Sequence, residues 1–575
     1  MVATNQFAND LHFVSFFTIE ETVYCSRLST FNTRINLRIS ELHSFRFLNE
    51  SEVETNAPSG LQVQARALGK MKTNKNPNNE YLCESSSTVI NSTLTQKDVL
   101  LVFPGKYRAP DPQVPLALLH IASSLQREGY RVQIFDMRLE DFRQRTIGNP
   151  VFVGITCMSG QQIHYGLLFA RKVRAQNPTC PIVWGGVHPT LLPEQTAASK
   201  SVDIVVRGEG ELVVPELANK LAAGETLDHV RGLTFKSEGL IKSTSDADLI
   251  DLDEIPIDLP YDLLKLEKYT TLQSGRFHIQ TSRGCPHRCG FCYNSLFNKR
   301  RWRGKSARRV LDEIEQVLHR FPYITIIDPI DDNFFVDKQR VEDICKGIID
   351  RDIKIAWRAN CRFDYLSTYD RDFVSLLDKA GCMELDFGGE SGSERLQEFV
   401  CKDVTAEQML QSVTNLRKWA PSIEPFVSWL SGLPNETYKD MLKTFELMDR
   451  MNEANPRTQH YGIFMYTPFP SPMTESLGSQ FPAPQTLEDW GNIEVFHFQP
   501  PWHNKAYVQK LQAISAVTRY AFCPQSRIDE HGLGFKLGYG IINRIARYRW
   551  KHRYFDSPLE LKLVNGLARR LRGFL

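Results

Sequence analysis

Three cysteines lie close together in the middle of the chain, at Cys285, Cys289 and Cys292. A short loop that carries three thiolates can hold three irons of a four-iron, four-sulfur cluster and leave the fourth iron open. Structural zinc is the alternative, but zinc takes four ligands and the next cysteine is the distant Cys345. His287, between the ligands, is interpreted as a loop residue. The spacing therefore predicts an iron–sulfur cluster.

Small-residue turns and a polar run form the second group of candidate residues. The turns are Met158-Ser-Gly160, Gly185-Gly186 and Arg207-Gly-Glu-Gly-Glu211. Glycine lets a backbone approach a ligand closely, so these turns are candidates for cofactor contact. The polar run, Asp331-Asp332-Asn333, is interpreted either as a substrate-binding group or as a helix cap.

The strands and helices around these three glycine turns predict a doubly wound α/β domain over residues 98–240. Buried parallel strands are predicted at Val99–Phe103, Val132–Phe135, Val151–Thr156, Pro181–Trp184 and Asp203–Val206, with a helix at Leu116–Gly129. Such a Rossmann-like or flavodoxin-like sheet binds ligands at the carboxyl ends of its strands. All three glycine turns lie at those ends, which indicates a cofactor face.

A second alternating region, residues 271–484, follows a Pro- and Asp-rich connector at 241–270. Its predicted strands are His278–Ser282, Ile324–Asp328, Lys354–Ala359, Met383–Phe387, Ile423–Ser431 and Tyr461–Met465. Six strand–helix units predict a partial (β/α)6 barrel of the TIM type, whose chemistry lies at the carboxyl ends of the strands. Residues 485–575 are predicted to form a mostly helical C-terminal domain.

Composition limits the class of protein. The 575 residues are 42% hydrophobic and 24% charged, with a net charge of +2, so no global attraction to nucleic acid is expected. The sequence has neither a secretory signal nor a run of about 18 apolar residues, which favours a reducing cytoplasm. Residues 1–97 are predicted to be a poorly ordered leader, or the product of a start codon placed too far upstream. A chain starting at Met71 is expected to bind the same cofactors.

The cysteine loop after the first strand of a partial barrel resembles the radical S-adenosylmethionine (SAM) superfamily. The resemblance implies that the open iron binds SAM and that its cleavage gives a 5′-deoxyadenosyl radical. It also implies SAM contacts on four strand ends: Phe291 at the adenine; Gly388, Gly389, Glu390 and Ser391 at the ribose; Gly432 and Pro434 after the fifth strand; and Tyr466 after the sixth. Gly432 and Pro434 have the alternative role of shaping a turn.

The amino-terminal sheet resembles the cobalamin (B12) domain that precedes this barrel in one large subfamily. The matching positions are the loop 110–118 and Thr156, Met158, Ser159, Gly160, Gly185, Gly186, Val187, His188, Gly208, Glu209 and Gly210. Other cobalamin domains carry Asp-x-His-x-x-Gly after the first strand, and the loop 104–115 has no histidine. Cobalamin is therefore expected to bind without a histidine beneath cobalt. The literal match at residues 529–534, which includes His531, is interpreted as coincidence.

Together the two resemblances imply transfer of a methyl group to an unactivated carbon or phosphorus centre. Oxidative cyclisation or rearrangement on the same scaffold is one alternative, and a non-catalytic corrinoid or iron–sulfur sensor is another. The expected partners are an unidentified substrate and an electron donor such as a flavodoxin or ferredoxin. The basic segment 541–575 is interpreted as a solvated helical face, a contact with anionic lipid or, without a recognised module, an RNA contact.

Overall fold

The computed structural model describes residues 97–109, 112–495, 498–522, 533–561 and 563. Residues 1–96 of the predicted leader, and residues 529–532 of the motif that contains His531, lie outside these residues. The described residues all belong to one unit. Within them, no helix is long and apolar enough to cross a membrane.

Residues 98–243 contain a seven-stranded sheet, in the order β2-β1-β3-β4-β5-β6-β7. The strands are β1 (Asp98–Phe103), β2 (Arg131–Asp136), β3 (Phe152–Thr156), β4 (Ile182–Gly185), β5 (Ile204–Val206), β6 (Leu233–Ser237) and β7 (Leu240–Ser243). The first five are parallel, as predicted, and β6 and β7 add an antiparallel hairpin. The sheet thus continues past residue 240, where the domain was expected to end.

Both faces of this sheet are covered, which explains the unbroken apolar run in β1. Val99 and Leu101 pack with helices Leu116–Arg127 and Gly210–Ala223, whereas Leu100 and Val102 pack with helix Gln161–Gln176 on the other face. Alternate side chains of a strand point to opposite faces, so a strand buried on both sides must be apolar throughout. The doubly wound architecture is confirmed.

Residues 276–465 contain a six-stranded parallel sheet, in the order β15-β14-β13-β12-β11-β8. Its strands are β8 (Arg276–Ile279), β11 (Ile326–Pro329), β12 (Ala356–Cys361), β13 (Cys382–Glu390), β14 (Glu424–Ser431) and β15 (Gln459–Met465); the short β9 (Ser282–Arg283) and β10 (Arg303–Gly304) pair with each other. Each neighbouring pair in the larger sheet is parallel. The partial (β/α)6 barrel is confirmed.

Helices flank the strands of both sheets. Besides those given above they are Val187–Leu191, Pro193–Ala198, Thr270–Gln273, Asn294–Phe297, Ala307–Arg320, Lys338–Asp350, Phe363–Leu366, Arg371–Lys379, Glu394–Phe399, Ala406–Trp419, Tyr438–Ala454, Pro472–Ser476, Leu487–Gly491, Lys505–Ala521 and Leu533–Lys551. The predicted helix Ala307–Arg320 buries Val310, Ile314 and Val317 on one face, and Ser306 caps it by accepting a hydrogen bond from the Arg309 amide.

The region after residue 484 does not pack as one helical domain. Helix Leu487–Gly491 packs against helix Gln161–Gln176, and its Leu487 and Trp490 complete the apolar core of the first sheet. Helices Lys505–Ala521 and Leu533–Lys551 instead pack on each other, and the former also packs on β15. We call residues 483–495, which pass from the barrel onto the first sheet, the strap.

Candidate functional site

The three cysteines lie on the loop that follows β8 and β9. Gly284, just before them, has φ = +87°, and a Cβ there would lie 2.0 Å from the Arg301 carbonyl oxygen, so only glycine fits. Farther along the loop, the Gly290 amide donates to the Val400 carbonyl at 2.8 Å and the Met473 amide donates to the Gly290 carbonyl at 2.9 Å. The loop is therefore fixed to the segments that follow β13 and β15.

The cysteine sulfurs have hydrogen-bond donors and cations around them. Arg362 Nη1 donates to Cys289 Sγ at 3.5 Å, and Asn333 Nδ2 donates to Cys285 Sγ at 3.7 Å. Burial acts to lower the pKa of Arg362, but the electrostatic interactions with Asp364, Cys289 and Cys285 outweigh it and raise that pKa overall. Donors and positive charge stabilise thiolates, which are the form that binds iron.

This set of donors suits an iron–sulfur cluster. Among the described residues, no group of three or more His, Cys, Asp or Glu side chains is arranged to hold a single metal ion. Three thiols on one loop match the ligand number of a cluster with one open iron. His287 is not one of these donors: its Nε2 lies 2.6 Å from the Tyr365 hydroxyl, which ties the loop to helix Phe363–Leu366.

The polar run at the end of β11 supports the cysteine loop. Asp331 accepts hydrogen bonds from the backbone amide of Thr281, at 2.7 Å, and from the Ser282 hydroxyl, at 2.6 Å. Asp332 accepts from the Gly284 amide at 3.0 Å. The helix-cap interpretation of this run is wrong, because Asp337 caps the next helix. Neither earlier interpretation included this loop-supporting role.

The turn that ends β13 is built around a buried ion pair. Glu390, at φ = +56°, accepts from Lys402 Nζ at 2.7 Å. Burial alone would lower the pKa of Lys402, but the Glu390 carboxylate raises it overall. A Cβ on Gly388 would lie 2.3 Å from Glu390 Oε1, and one on Gly389 would lie 3.0 Å from the Trp429 ring.

Ser391, the last residue of this motif, makes local contacts. Its hydroxyl accepts from the Ser393 amide at 3.1 Å and lies 3.3 Å from Thr444 Oγ1. Its carbonyl accepts from Gln397 Nε2 at 2.6 Å. These contacts hold the turn against helices Glu394–Phe399 and Tyr438–Ala454.

Phe291 and Tyr466 come together in one apolar cluster. This cluster also contains Leu433, Met473 and Trp502. Gly432 has φ = +77° and no room for a Cβ beside Met465, and its carbonyl accepts from Trp502 Nε1 at 2.9 Å. Pro434 is buried two residues on. Predicted SAM residues from three segments thus lie around one apolar site. The segments are the cysteine loop and the turns after β14 and β15.

Glu436, two residues after Pro434, is buried in this turn. Burial raises its pKa to about 7, against the opposing effect of hydrogen bonds from the Ser431 hydroxyl and the Gly432 amide. A buried carboxyl group favours its neutral form when its hydrogen bonds do not offset desolvation.

The predicted cobalamin turns after β3 and β4 are in direct contact. The Cys157 amide donates to the Gly185 carbonyl at 2.9 Å, and Ser159 Oγ lies 2.8 Å from His188 Nδ1. A Cβ on Gly186, at φ = +97°, would lie 2.9 Å from Thr156 Oγ1. Gly160 is the N-cap of helix Gln161–Gln176, the Met158 amide donates to Gln162 Oε1 of that helix at 2.8 Å, and Val187 begins the next helix.

His188 is fully buried and has no hydrogen-bond partner on Nε2. Burial lowers its pKa to about 3, so the imidazole is neutral. The ring packs edge-on against Trp490 of the strap, with centroids 5.6 Å apart. A buried polar nitrogen without a partner calls for an explanation, and a hydrogen bond from a bound cofactor to His188 Nε2 would be compatible with the predicted cobalamin position.

The turn after β5 contacts the barrel through charges. Glu209 pairs with Arg283 Nη1 at 3.2 Å and with Arg303, and Glu211 accepts from Arg283 Nη2 at 2.6 Å. Arg283 is two residues before Cys285, so the first sheet holds the start of the cysteine loop. Gly208, at φ = +74°, has open space where a Cβ would lie, whereas a Cβ on Gly210 would lie 2.7 Å from Ile121.

The two candidate cofactor faces also meet at Gly160. A Cβ there would lie 3.5 Å from the Phe469 ring, in the turn after β15, and 3.3 Å from the Ile493 carbonyl of the strap. The carboxyl ends of the two sheets are therefore apposed.

Comparison with known proteins agrees with this arrangement. Residues 108–218 match the B12 binding domain and residues 279–448 match the Radical SAM superfamily. The chain is 34% identical over 367 residues to the uncharacterized methyltransferase PH0819 of Pyrococcus horikoshii, which covers 62% of this chain and 78% of the relative. The chain belongs to the cobalamin-dependent radical SAM methyltransferase family. Its cofactors are a [4Fe-4S] cluster, SAM and cobalamin.

Two further likenesses are more distant. The anaerobic magnesium-protoporphyrin IX monomethyl ester cyclase of Rubrivivax gelatinosus is 27% identical over 403 residues, covering 67% of this chain and 68% of the relative. The structure of the radical SAM methyltransferase TsrM from Kitasatospora setae, with cobalamin and a [4Fe-4S] cluster bound, superposes with a TM-score of 0.59. That likeness covers 79% of this chain and 99% of TsrM at 18% identity, and it shows the fold.

Sequence reasoning missed the residues that surround the predicted ones. Arg362 directly follows β12, so the rule that strand ends carry the chemistry would have found it. Lys402 follows no strand, and Arg283 ends the two-residue strand β9, which sequence patterns do not reveal; their partners Glu390 and Glu211 are 12 and 72 residues away.

Proposed function

We propose that this enzyme methylates an unactivated carbon or phosphorus centre by a radical route. When bound, the reduced cluster supplies the electron that cleaves SAM to methionine and a 5′-deoxyadenosyl radical, and cobalamin carries a methyl group taken from a second SAM. Per methyl group transferred, two SAM molecules and two electrons are consumed. One methionine, one 5′-deoxyadenosine and one S-adenosylhomocysteine are released. The substrate loses one hydrogen atom and gains the methyl group.

The apposition of the two strand-end faces is the observation that carries this proposal. Gly160 in the cobalamin turn lies against Phe469 in the turn after the last barrel strand. A substrate between the faces is within reach of both, and such proximity is what successive hydrogen abstraction and methyl transfer require.

The chain's own residues have distinct roles in the proposal. Cys285, Cys289 and Cys292 hold the cluster, with Arg362 and Asn333 donating to their sulfurs. Glu390, oriented by Lys402, accepts from the SAM ribose, and the apolar site of Phe291, Leu433 and Tyr466 takes the adenine. The glycine turns after β3, β4 and β5 hold cobalamin. The strap covers one side of the site and excludes water from it.

Product analysis tests the reaction. With SAM labelled in its methyl group, the label should appear in the product, with 5′-deoxyadenosine and S-adenosylhomocysteine formed in equal amounts. Glu390→Ala should lower both by at least about tenfold, since a hydrogen bond to a charged group is lost. The matched control is Glu394→Ala, four residues on and exposed, which should retain both.

The alternative activities predict different products. A cyclase or a rearrangement enzyme would form 5′-deoxyadenosine with substrate while no methyl group enters the product. A sensor would form no 5′-deoxyadenosine even when reduced. Either result would contradict methyl transfer.

We also propose that an acidic one-electron carrier, such as a flavodoxin or ferredoxin, docks beside the cysteine loop. Arg300 and Arg301 are exposed there and form no ion pair among the described residues. Arg300 Nε donates to the Pro286 carbonyl at 3.3 Å, and the Arg301 backbone lies against Gly284. Two exposed cations so close to the cluster ligands favour an anionic partner.

Reversing the charge of Arg300 and Arg301 distinguishes docking of the electron carrier from the methylation reaction itself. Arg300→Glu with Arg301→Glu should lower turnover driven by reduced flavodoxin at least about tenfold, most strongly at low salt. Turnover driven by dithionite should remain. The adjacent exposed cations Arg417 and Lys418, on the outer helix Ala406–Trp419, give the control pair Arg417→Glu with Lys418→Glu. Equal losses with both reductants would mean that the variant damages the site itself.

A further inference from the structure

Exposed apolar side chains are concentrated near the end of the described chain. Among the residues that the structure describes, fourteen large apolar side chains are exposed, and six of these lie within residues 541–563: Ile541, Ile545, Tyr548, Tyr554, Leu559 and Leu563. The other eight are spread over the preceding part of the described chain. Isolated exposed apolar residues are ordinary, but a cluster of them marks an interaction surface.

Three of the six form a ridge along helix Leu533–Lys551. Ile541, Ile545 and Tyr548 are 61%, 36% and 63% exposed, and their spacing of four and three residues places them on one helix face. The opposite face is docked: Asn543 Nδ2 donates to the Tyr520 carbonyl at 2.6 Å, and Trp550 Nε1 donates to Asp449 Oδ1 at 2.6 Å. The helix is thus held by the protein on one side, while its other side is apolar.

The charges on the helix that carries this ridge have a single sign. Helix Leu533–Lys551 contains no Asp or Glu, and Arg544, Arg547 and Lys551 are exposed next to the apolar residues. The chain then continues into Asn565–Leu575, whose sequence has three arginines, four large apolar residues and no acid. An apolar ridge on a helix whose own charges are all positive is complementary to a surface of hydrocarbon beneath anionic headgroups.

We propose that the ridge Ile541–Ile545–Tyr548 rests on an anionic lipid bilayer. The three apolar side chains enter the boundary between headgroups and acyl chains, and the flanking cations contact lipid phosphates. The contact is peripheral. It uses no residue of the cofactor sites, so it is independent of the proposed reaction.

Vesicle flotation of the full-length holoenzyme tests the contact. Binding to phosphatidylcholine vesicles that contain phosphatidylglycerol should exceed binding to phosphatidylcholine alone at least about tenfold, and added salt should reduce the difference. Ile541→Asp with Tyr548→Asp should reduce the binding at least about tenfold. The matched control, Leu240→Asp with Ile241→Asp on the exposed hairpin of the first sheet, should bind as the unchanged protein does. Cofactor spectra verify that each variant is folded.

Three results would overturn the proposal. In the first, phosphatidylglycerol vesicles bind no better than phosphatidylcholine, or the control pair loses as much binding as the ridge pair. In the second, light scattering without lipid shows a dimer that the ridge variant lacks, so that the ridge contacts a second copy. In the third, deletion of residues 564–575 abolishes binding while the ridge variant retains it, which assigns the contact to the tail.

Discussion

At Gly388 an added methyl group would lie 2.3 Å from Glu390 Oε1 and 2.6 Å from Lys402 Nζ. Gly388→Ala should therefore separate the buried ion pair and leave both charges poorly compensated. Breaking a buried pair lowers the free energy of unfolding by about 3–5 kcal/mol. We expect a lower melting temperature and at least about tenfold weaker SAM binding in equilibrium dialysis. Gly540→Ala, where the added group meets no atom within 4 Å, is the control: SAM binding should stay the same and the melting temperature should not fall, because alanine is favoured over glycine inside a helix.

Glu436 gives a prediction about pH. Its pKa in the folded protein is about 7, above the ordinary carboxyl value of 4.5. The folded state therefore binds the proton more tightly than the unfolded state, and this stabilisation is lost as pH rises from about 4.5 to about 7. The melting temperature relative to Glu436→Gln should fall over that interval and stay constant above it. A constant difference across the interval would mean that the carboxyl group ionises normally.

The cysteine ligands predict a simple spectroscopic result. Replacing Cys285, Cys289 and Cys292 together by alanine should remove the brown chromophore and all cleavage of SAM, because the iron loses its protein ligands. Cys401→Ala, at the nearby half-exposed cysteine, should retain both after anaerobic reconstitution. A four-iron spectrum from the triple variant would contradict the ligand assignment.

At the scale of elements, Arg283 joins the turn after β5 to the cysteine loop. In the Arg283→Met variant, Glu209 would keep its ion pair with Arg303. The buried Glu211 would keep only His120 as a partner. We expect a loss of about 3–5 kcal/mol in stability, measured by urea denaturation, together with weaker retention of the cluster. Combining it with Glu211→Gln should recover part of the loss, because one uncompensated charge is removed. Arg308→Met, at a side chain 87% exposed, should cost less than about 0.5 kcal/mol.

Sequence reasoning found the elements because each carries its own local pattern. Examples are the apolar run of β1 and helix Ala307–Arg320, which is apolar on one face. Both lie where the sequence pattern predicted them. The charges inside the barrel carry no such pattern. Arg358 donates to Asp328 at 3.1 Å and to Glu384 at 2.9 Å, with all three side chains buried on neighbouring strands. In the sequence, these charged residues look like residues of an exposed surface. They can be buried because the pairing of β11, β12 and β13 places opposite charges side by side.

At the scale of the whole molecule, the sequence predicted the order of the two folds but not how they are joined. The connection depends on contacts between residues 289 positions apart, such as Ser199 Oγ with Glu488 Oε1 at 2.6 Å and Gln195 Nε2 with the Pro484 carbonyl at 3.0 Å. No periodicity within a window of the chain reports such a contact. The short helix Leu487–Gly491 was therefore assigned to a C-terminal domain, although its side chains complete the core of the first sheet.

This placement of the strap has a consequence for how the chain matures on the ribosome. The first sheet is synthesised early, but Leu487 and Trp490 of its core emerge about 310 residues after helix Gln161–Gln176. At about 5–20 residues per second, that interval is roughly 15–60 s. During it, the apolar surface of the nascent domain that later contacts Trp490 stays open to water and to other chains. Protection of this surface by a chaperone, until the barrel has been translated and the strap has docked, would then govern the yield of native enzyme.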